Sequence, residues 1–502
     1  MTMGFPPAAK TDLAVAFTTL SSDSVSAVIT MVSPSFSLKS SLTRMSAAFP
    51  SSNSYNLGIY FTDFFFQSNF IKFFIKHIDT KGNIMRARIY IYYKDIKLLE
   101  TRKLTTKTLS KEDLWYSVLG GAALSTGGGG SAMSYERFSQ AVDPIFDEGL
   151  EPKLIDPMDL QDDENIVMPT GIGGGISRED QEIYGLPLLR QFAYRDIAFR
   201  EMDKVFPLLD WAKKPEEDIS LAAIERLKEI KGEERYIALL PDEIGPGIYR
   251  HALRGAREGI PVVDADSAGH RAVPEMTQAS FNVKQLSATP AVIATRWGDM
   301  MVYERSISWQ RLEDVTRAIA RISGGSNSLI MSFTGKEIRE AAVHGGFSRT
   351  IKIGKAIASA GKNPIDNIVE ATNGYKIFEG EILAHTTEGK GAYTIGNGWI
   401  NGTGDYEGKM FRFWYKNENH ISWLDGDPYV TSPDTFTVID SETGVGMSNF
   451  RDDIWPLGKK VSVLGVKCED IWRTERGLRI FNPKHFGFDI KYRPIEDIME
   501  RR

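Results

Sequence analysis

The amino-acid sequence predicts an α/β N-terminal domain with a mainly parallel sheet, followed by a β-rich C-terminal domain. Three observations support this fold class. The chain has 502 residues, more than a single hydrophobic core usually holds. Strand and helix patterns alternate between residues 236 and 263, whereas short strands separated by Gly, Asn and Asp dominate from Tyr375 onward. The composition, 42% hydrophobic and 25% charged, is that of a soluble globular protein.

Residues 1–105 differ from the rest of the chain in composition. Thirteen of the first 55 residues are serine, and residues 1–105 contain 12 Lys or Arg against 6 Asp or Glu, although the whole chain has a net charge of -6. Residues 56–78 are apolar, but side chains such as Asp63 and Lys72 interrupt them, so we predict no integral membrane association. We interpret residues 1–105 as a weakly structured or non-native extension that the rest of the protein does not need.

The α/β domain, predicted over residues 106–373, opens with a helix. Ser110 is an N-cap residue, Glu112 and Asp113 place acids in the first turn, and apolar residues follow at helical spacing. The helix leads into a glycine loop, Ser125 to Ser131. Because the glycines follow a helix and no GK[ST] comes after them, neither a dinucleotide fingerprint nor a P-loop is predicted.

Two glycine loops are candidates for binding substrate through backbone N–H groups. The first contains four consecutive glycines, and the second, residues 170–177, follows a short strand predicted at Asn165–Met168. Successive N–H groups can bind a carbonyl oxygen or an anion. A mobile or tightly turned loop is the alternative in both cases. The candidate glycines are Gly127, Gly128, Gly129, Gly130, Gly173 and Gly174.

The next segment has the pattern of a βαβ unit. A strand at Tyr236–Leu240, a helix at Ile248–Glu258 and a second strand at Ile260–Val263 follow one another with short connections. Strands joined in this way are parallel, so their carboxyl ends lie on one edge of the sheet. Open α/β sheets bind ligands at that edge. We therefore expect the residues that follow the two strands to lie close together.

Acidic residues follow both strands of this unit. Asp264 and Asp266 could point the same way and share a proton or a cation, or Asp264 could cap a turn while Asp266 pairs with Arg271. Topology brings Glu243 to the same edge. Glu275 could either join the site or stabilise the first turn of a helix. These five residues are the predicted catalytic set.

No metal centre of recognised pattern is present in the sequence. The seven histidines lack HxH, HxxxH or HExxH spacing, and the single cysteine, Cys468, has acidic neighbours that raise a thiol pKa. No cofactor is required by the sequence. A Mg²⁺ or Mn²⁺ ion held by Asp264, Asp266 and Glu243 remains open, because hard cations need only convergent carboxylates.

Further helices and strands complete the prediction. A hairpin at Ala291–Ala294 and Met300–Glu304 precedes an amphipathic helix at Ser308–Ile322 and a strand at Leu329–Phe333. The β-rich domain is predicted over residues 374–502. Its predicted strands are Ile377–Leu383, Tyr393–Ile400, Lys409–Lys416, Thr435–Asp440 and Lys460–Val466.

Several motifs in order resemble the S-methyl-thiohydantoin desulfurase family, which is often encoded beside hydantoinases. They are STGGGG (125–130), PDEIGPG (241–247), DADSAGHRAVPE (264–275), NGYKIFEGEI (373–382), SPDTFTVIDSETG (432–444) and HFGFDIKYRPIED (485–497). The resemblance implies the same two domains and hydrolysis of an S-methylated thiohydantoin to hydantoin and methanethiol. The family usually has Gly where this chain has His270, and EGGxN where this chain reads EIGPG.

From the residues and the resemblance together, we expect a hydrolase acting on a hydantoin-like cyclic amide. A carboxylate of the acidic set would direct water at the carbon that bears sulfur, while Arg271 and the glycine amides support the developing charge and His270 contacts the substrate. The alternative is a non-catalytic ligand-binding or regulatory subunit of a hydantoinase-type complex. The net charge gives no reason to expect nucleic acid, the single cysteine suits the cytoplasm, and we expect a homo-oligomer.

Overall fold

The computed structural model describes residues 104–184, 219–295, 297–361 and 364–500, together with the backbone of six strands before residue 104. The contacts divide the chain into two units, Met1–Lys103 and Leu104–Arg502. Within the described parts of the chain, no helix is both long enough and apolar enough to cross a membrane.

The first unit contains two three-stranded antiparallel sheets, β1–β3 and β4–β6. The expectation that residues 1–105 are dispensable stays a prediction. The six strands are β1 (Leu20–Ser21), β2 (Ser24–Ala27), β3 (Met45–Ala47), β4 (Thr62–Phe66), β5 (Asn69–Lys81) and β6 (Ile84–Lys94).

An eight-stranded mixed sheet forms the α/β part of the second unit, in the order β14-β13-β15-β9-β10-β11-β8-β7. Four adjacent strands, β9, β10, β11 and β8, are parallel, with three antiparallel strands on one side of them and β7 on the other. The strands are β7 (Thr106–Thr108), β8 (Lys153–Ile155), β9 (Asn165–Gly173), β10 (Ala238–Leu239), β11 (Val262–Val263), β13 (Ala291–Thr295), β14 (Met300–Tyr303) and β15 (Ser326–Thr334). A separate antiparallel pair consists of β12 (Ala265–Asp266) and β16 (Val343–His344).

The predicted βαβ unit is confirmed. The helix α5 (Tyr249–Glu258) connects β10 to β11, and Leu239 pairs with Val262 in a parallel register. The helix ends at Gly259, whose φ of 71° lies in the left-handed region that glycine adopts at low cost. The unit therefore brings the segments after β10 and β11 to one edge of the sheet, as predicted.

The helix α1 (Lys111–Leu124) begins as predicted, at Ser110, with a capping box between Ser110 and Asp113. It packs closely on α9 (Gly346–Ala358) because Gly120 and Gly354 leave no side chain between the two backbones. The other helices are α2 (Tyr135–Asp147), α3 (Arg178–Tyr184), α4 (Ile219–Lys231), α6 (Ser280–Val283), α7 (Trp309–Ile322), α8 (Gly335–Ala341), α9 (Gly346–Ala358), α10 (Pro364–Thr372), α11 (Glu475–Ile480) and α12 (Ile495–Met499).

A seven-stranded antiparallel sheet, in the order β21-β20-β19-β18-β17-β23-β22, forms the C-terminal part and confirms the predicted fold class. The five predicted strands are present. Two more strands, β20 and β21, were not predicted. The strand β20 lacks a strand pattern in the sequence, because it begins with three polar residues that are buried, Glu418, Asn419 and His420. The strands are β17 (Tyr375–Lys390), β18 (Tyr393–Gly402), β19 (Met410–Lys416), β20 (Glu418–Leu424), β21 (Asp427–Thr431), β22 (Thr435–Asp440) and β23 (Lys460–Val466).

One hydrophobic core joins the two sheets. It contains Val167 and Val262 of the eight-stranded sheet, Ile351 of α9, and Ile439 and Leu464 of the seven-stranded sheet. Burial of such apolar surface contributes about 25 cal/mol per Å². The β-rich part is thus packed against the α/β part, so residues from both can contribute to one site.

Candidate functional site

A cavity of about 570 Å³ lies where the carboxyl ends of β9 and β10 approach the start of β20. This volume is typical of small-molecule sites. The apolar side chains among its described lining residues are those of Met133, Ile172, Val273, Pro274, Met276, Ala279 and Phe450. The polar and charged lining residues are Ser131, Thr170, Asp242, Glu243, Arg250, Ser267, Glu275, Gln278, Arg317, Ser326, Asn327, Asn417 and Glu418.

The first glycine loop is tightly turned and packed against its neighbours. A methyl group on Gly128 would lie 1.7 Å from Glu418 Oε1, so only glycine fits there without displacing that carboxyl. Gly129 and Gly130 line the cavity, whereas Gly127 and Gly128 do not. Three carbonyl oxygens of the loop accept backbone N–H groups from other segments, namely Asn419 to Thr126, Asn449 to Gly127 and Gly247 to Gly129.

The second glycine loop continues directly from β9. Gly173 is the last residue of that strand, and both Gly173 and Gly174 line the cavity. The carbonyl oxygen of Gly173 accepts hydrogen bonds from Arg317 Nη1 at 2.9 Å and Asn417 Nδ2 at 3.2 Å. This loop therefore ties the cavity wall to α7 and to the turn before β20.

Three carboxyl groups with raised pKa values line the cavity. Burial raises the pKa of Asp242 to about 7, and the neighbouring charge of Asp266 adds to this effect. Burial, followed by the charges of Asp242 and Glu418, raises the pKa of Glu243 well above its usual range. Burial also raises the pKa of Glu418 to about 8. Carboxyl groups that hold protons near neutral pH are suited to general acid and base chemistry.

Glu418 is the most buried of the three, with 2% of its surface exposed. Its Oε2 atom has no hydrogen-bond partner. The charges of Arg271 and Arg317 oppose the rise in its pKa without cancelling it. Glu418 therefore offers a protonated oxygen that is free to contact a ligand.

Glu275 lines the cavity but stays ionised. Burial would raise its pKa, yet the hydrogen bond from His485, at 3.0 Å, and the charge of Lys416 outweigh burial and lower the pKa to about 2. Lys416 also forms an ion pair with the Glu275 carboxylate. Glu275 thus supplies a fixed negative charge to the cavity wall.

Asp264 and Asp266 lie outside the cavity lining. Both Asp264 oxygens accept hydrogen bonds from Ser348, one from its backbone N–H at 2.9 Å and one from its hydroxyl at 2.5 Å. Asp266 Oδ1 accepts backbone N–H groups from the next turn, at 2.9 Å from Ala268 and 2.7 Å from Gly269. The pair was predicted from its place after a strand of the βαβ unit and from the alternation of side chains along a strand, and a catalytic role for either residue stays a prediction.

His270 and Arg271 also lie behind the cavity wall. His270 has a φ of 58°, which glycine adopts more easily and which accounts for the glycine usual in the resembled family. Its ring contacts Glu469 Oε1 at 3.1 Å through Nδ1 and the His344 carbonyl at 2.9 Å through Nε2. The buried Arg271 does not pair with Asp266. It donates to the Pro433 carbonyl at 2.8 Å, and its Nη2 has no hydrogen-bond partner.

Among the residues that the structure describes, no three His, Cys, Asp or Glu side chains lie close enough to hold a metal ion. Of the three acids considered for Mg²⁺ or Mn²⁺, Glu243 lines the cavity and accepts the Val273 N–H at 2.9 Å, whereas Asp264 and Asp266 are engaged as described. The divalent cation stays a prediction.

Three site residues were not singled out from the sequence. Asp242 directly precedes the predicted Glu243, and its place in the strand-end loop was the available signal. Glu418 had no local signal, since it lies 175 positions after Glu243 and begins an unrecognised strand. Arg317 is on the predicted helix α7, where a buried arginine cannot be distinguished from a surface residue by periodicity alone.

Comparison with known families and structures identifies the chain. The S-Me-THD-like N-terminal domain matches residues 112–305, and the S-Me-THD-like C-terminal domain matches residues 307–495. None of the curated proteins matches the chain. The crystal structure of a protein from Chromobacterium violaceum is similar, with 17% identity and a TM-score of 0.54, over 78% of this chain and 100% of that chain. That likeness shows the fold alone. The predicted family is confirmed by the two domain matches, and the chain belongs to the S-Me-THD-like family, that of S-methyl-thiohydantoin desulfurase.

Proposed function

We propose that this protein hydrolyses an S-methylated thiohydantoin or a closely related cyclic amide. The family supports the substrate class. The observation that carries the proposal is that Asp242 and Glu418 line one cavity with pKa values raised to about 7 and about 8. At neutral pH such a pair holds one group that accepts a proton beside one that donates a proton.

In this proposal Asp242 is the general base and Glu418 the general acid. Asp242 removes a proton from water while the water oxygen bonds to the ring carbon that carries the S-methyl group, and the electron pair of the ring C=N bond moves to nitrogen. The resulting tetrahedral intermediate collapses, the carbon–sulfur bond breaks, and Glu418 donates its proton through Oε2, which has no other partner. The second proton of the water passes from the intermediate's hydroxyl group to the ring nitrogen. Water and the S-methylated ring are thereby converted to a ring carbonyl beside an N–H group and methanethiol, and the proton on Asp242 returns to Glu418 through solvent.

Other residues of the predicted set receive supporting roles. Glu243, protonated because its pKa is raised, donates a hydrogen bond to the ring, while Val273 N–H holds its other oxygen. The amide of Gly130 stabilises negative charge in the intermediate, whereas the Gly129 N–H bonds the Glu418 carboxyl group and opposes the rise in its pKa. Asp266 acts as a positioning residue, because it orders the turn that carries His270 and Arg271.

Arg271 completes the set by acting on Glu418. Its positive charge opposes the rise in the Glu418 pKa, which keeps the glutamate acidic enough to release its proton. Removing that charge without removing volume, in Arg271→Met, raises the Glu418 pKa further in this proposal. Activity then persists to higher pH, even though its maximum is lower.

Methanethiol release from an S-methyl-thiohydantoin tests the proposal. We expect release by the wild type and a loss of at least about 100-fold in Glu418→Gln, the range of general acid catalysis. Glu388→Gln, at an exposed position of β17, is the matched control and should retain full activity. Equal activity of Glu418→Gln and the control contradicts the proposal. Ligand binding by the wild type without methanethiol release favours the non-catalytic subunit instead. Activity after exhaustive chelation tests the divalent cation.

A further inference from the structure

Among the described residues that line the cavity, one basic side chain has no acidic side chain within ion-pair distance. Arg250 lies on the first turn of α5, is exposed, and lines the cavity. No described Asp or Glu lies within ion-pair distance of its guanidinium group. The other lining arginine, Arg317, is buried and pairs with Glu313 at 2.8 Å, and it also donates to three backbone carbonyls. Among the described lining residues, Arg250 is thus the cation available to a ligand.

The rest of the cavity disfavours a second negative charge. Glu275 is ionised, burial raises the pKa values of Asp242, Glu243 and Glu418, and the charges of Asp242 and Glu418 raise the pKa of Glu243 further by repulsion. An anionic group of a ligand placed among them would raise this repulsion further. The favourable location for such a group is the opening beside Arg250.

One buried polar atom indicates where the uncharged part of a ligand lies. Glu418 Oε2 has no hydrogen-bond partner, and Glu418 is 2% exposed. A buried polar atom without a partner is costly, so a ligand that supplies the missing hydrogen bonds is favoured. The polar ring of a cyclic amide meets this requirement at the closed end of the cavity.

The dimensions of the cavity leave room for a substituent between a ring beside Glu418 and a carboxylate beside Arg250. A ring of five atoms with two exocyclic atoms fills at most about 210 Å³, at about 30 Å³ per heavy atom, against a cavity of about 570 Å³. Glu418 packs against Gly128, and Gly247, two residues before α5, lies beside Gly130. Gly128 and Gly130 are two residues apart, which is at most about 7 Å along an extended chain. A substituent of a few bonds spans this interval.

We propose that the natural substrate is a cyclic amide that carries a short acidic side chain on a ring carbon, with its carboxylate paired to Arg250. This inference rests on the proposed function for the ring and adds the substituent. Arg250 is the specificity-determining residue, because it distinguishes an acidic from a neutral side chain of the same shape.

Calorimetric titration with two product-like ligands tests the inference without requiring turnover. The ligands are hydantoin with a carboxyethyl group on ring carbon 5 and its carbamoylethyl isostere. We expect the wild type to bind the acid at least about 10-fold more tightly than the carbamoylethyl isostere, because only the acid forms a charge-assisted hydrogen bond with Arg250. In Arg250→Gln this preference falls to within about 2-fold. Arg257→Gln, an exposed change on the same helix, is the control and keeps the preference.

Equal binding of both ligands by the wild type overturns the inference, as does a preference that survives in Arg250→Gln or the binding of neither ligand. The outcome is distinguishable from failure of the proposed function. An Arg250-dependent preference without methanethiol release overturns catalysis and supports the binding mode. Methanethiol release without any acid preference supports catalysis and overturns the binding mode.

Discussion

Replacing Gly128 by Ala tests how closely catalysis depends on the position of Glu418. The new methyl group would lie 1.7 Å from Glu418 Oε1 and 2.4 Å from the carboxyl carbon. To restore an ordinary contact of about 3.5 Å, the carboxyl group has to move by about 1.8 Å. A displacement of about 1 Å at a reacting group can reduce a rate by about 100-fold. We therefore expect kcat/KM of Gly128→Ala to fall by at least about 100-fold.

Fold stability should change much less than activity in this variant. Overpacking a core typically costs about 1–3 kcal/mol, so the variant remains folded. The assay is methanethiol release at several substrate concentrations, with thermal unfolding measured in parallel. Gly171→Ala is the control, because a methyl group there meets no heavy atom within 4 Å although the residue lines the same cavity. A folded Gly128→Ala enzyme with kcat/KM within 3-fold of the control would refute the reasoning.

Two predictions concern stability. The pKa of Glu275 falls from 4.5 to about 2 on folding, so its contribution of about 3 kcal/mol is present above pH about 4.5 and is lost as the pH falls towards 2. Urea unfolding at pH 7 and pH 3 should therefore show a smaller pH dependence in Glu275→Gln, and an unchanged dependence contradicts the ion-pair assignment. His270→Gly should unfold at nearly the wild-type urea concentration, whereas His270→Val should be less stable than His270→Gly by about 1–2 kcal/mol, because φ is 58°. Equal stability of the two variants contradicts the strained-turn reading.

The parts of the fold with local signals were predicted from the sequence. The βαβ unit and the β13–β14 hairpin have apolar strands bounded by Gly, Pro or Asp, and α7 begins at its capping Ser308. The strand β20 was missed for a physical reason. Its buried residues Glu418 and His420 are polar, and tertiary contacts stabilise them there. The Ser432 hydroxyl, for example, donates a hydrogen bond of 2.9 Å to His420 Nδ1. Sequence periodicity cannot detect such contacts.

The candidate site was only partly predicted, because local sequence patterns do not show which side chains face the cavity. Parallel topology correctly located Glu243 at the sheet edge, because that inference needs only the order of the strands. It did not reveal which acids face the cavity. Asp264 and Asp266 cluster in the sequence but are engaged by Ser348 and by turn amides, while Glu418 reaches the cavity from the other sheet. Packing between two distant segments determines this arrangement, and no local pattern encodes it.

The pH dependence of kcat/KM tests most directly the central claim that Asp242 and Glu418 form the acid–base pair. The wild type should give a bell-shaped profile. The rate should rise through a pKa of about 7, as Asp242 loses its proton, and fall through a pKa of about 8, as Glu418 loses its proton. The residual activity of Glu418→Gln should lack the fall at high pH and keep the rise. A wild-type profile that is flat between pH 6 and 9, or a fall at high pH that survives in Glu418→Gln, would contradict the assignment.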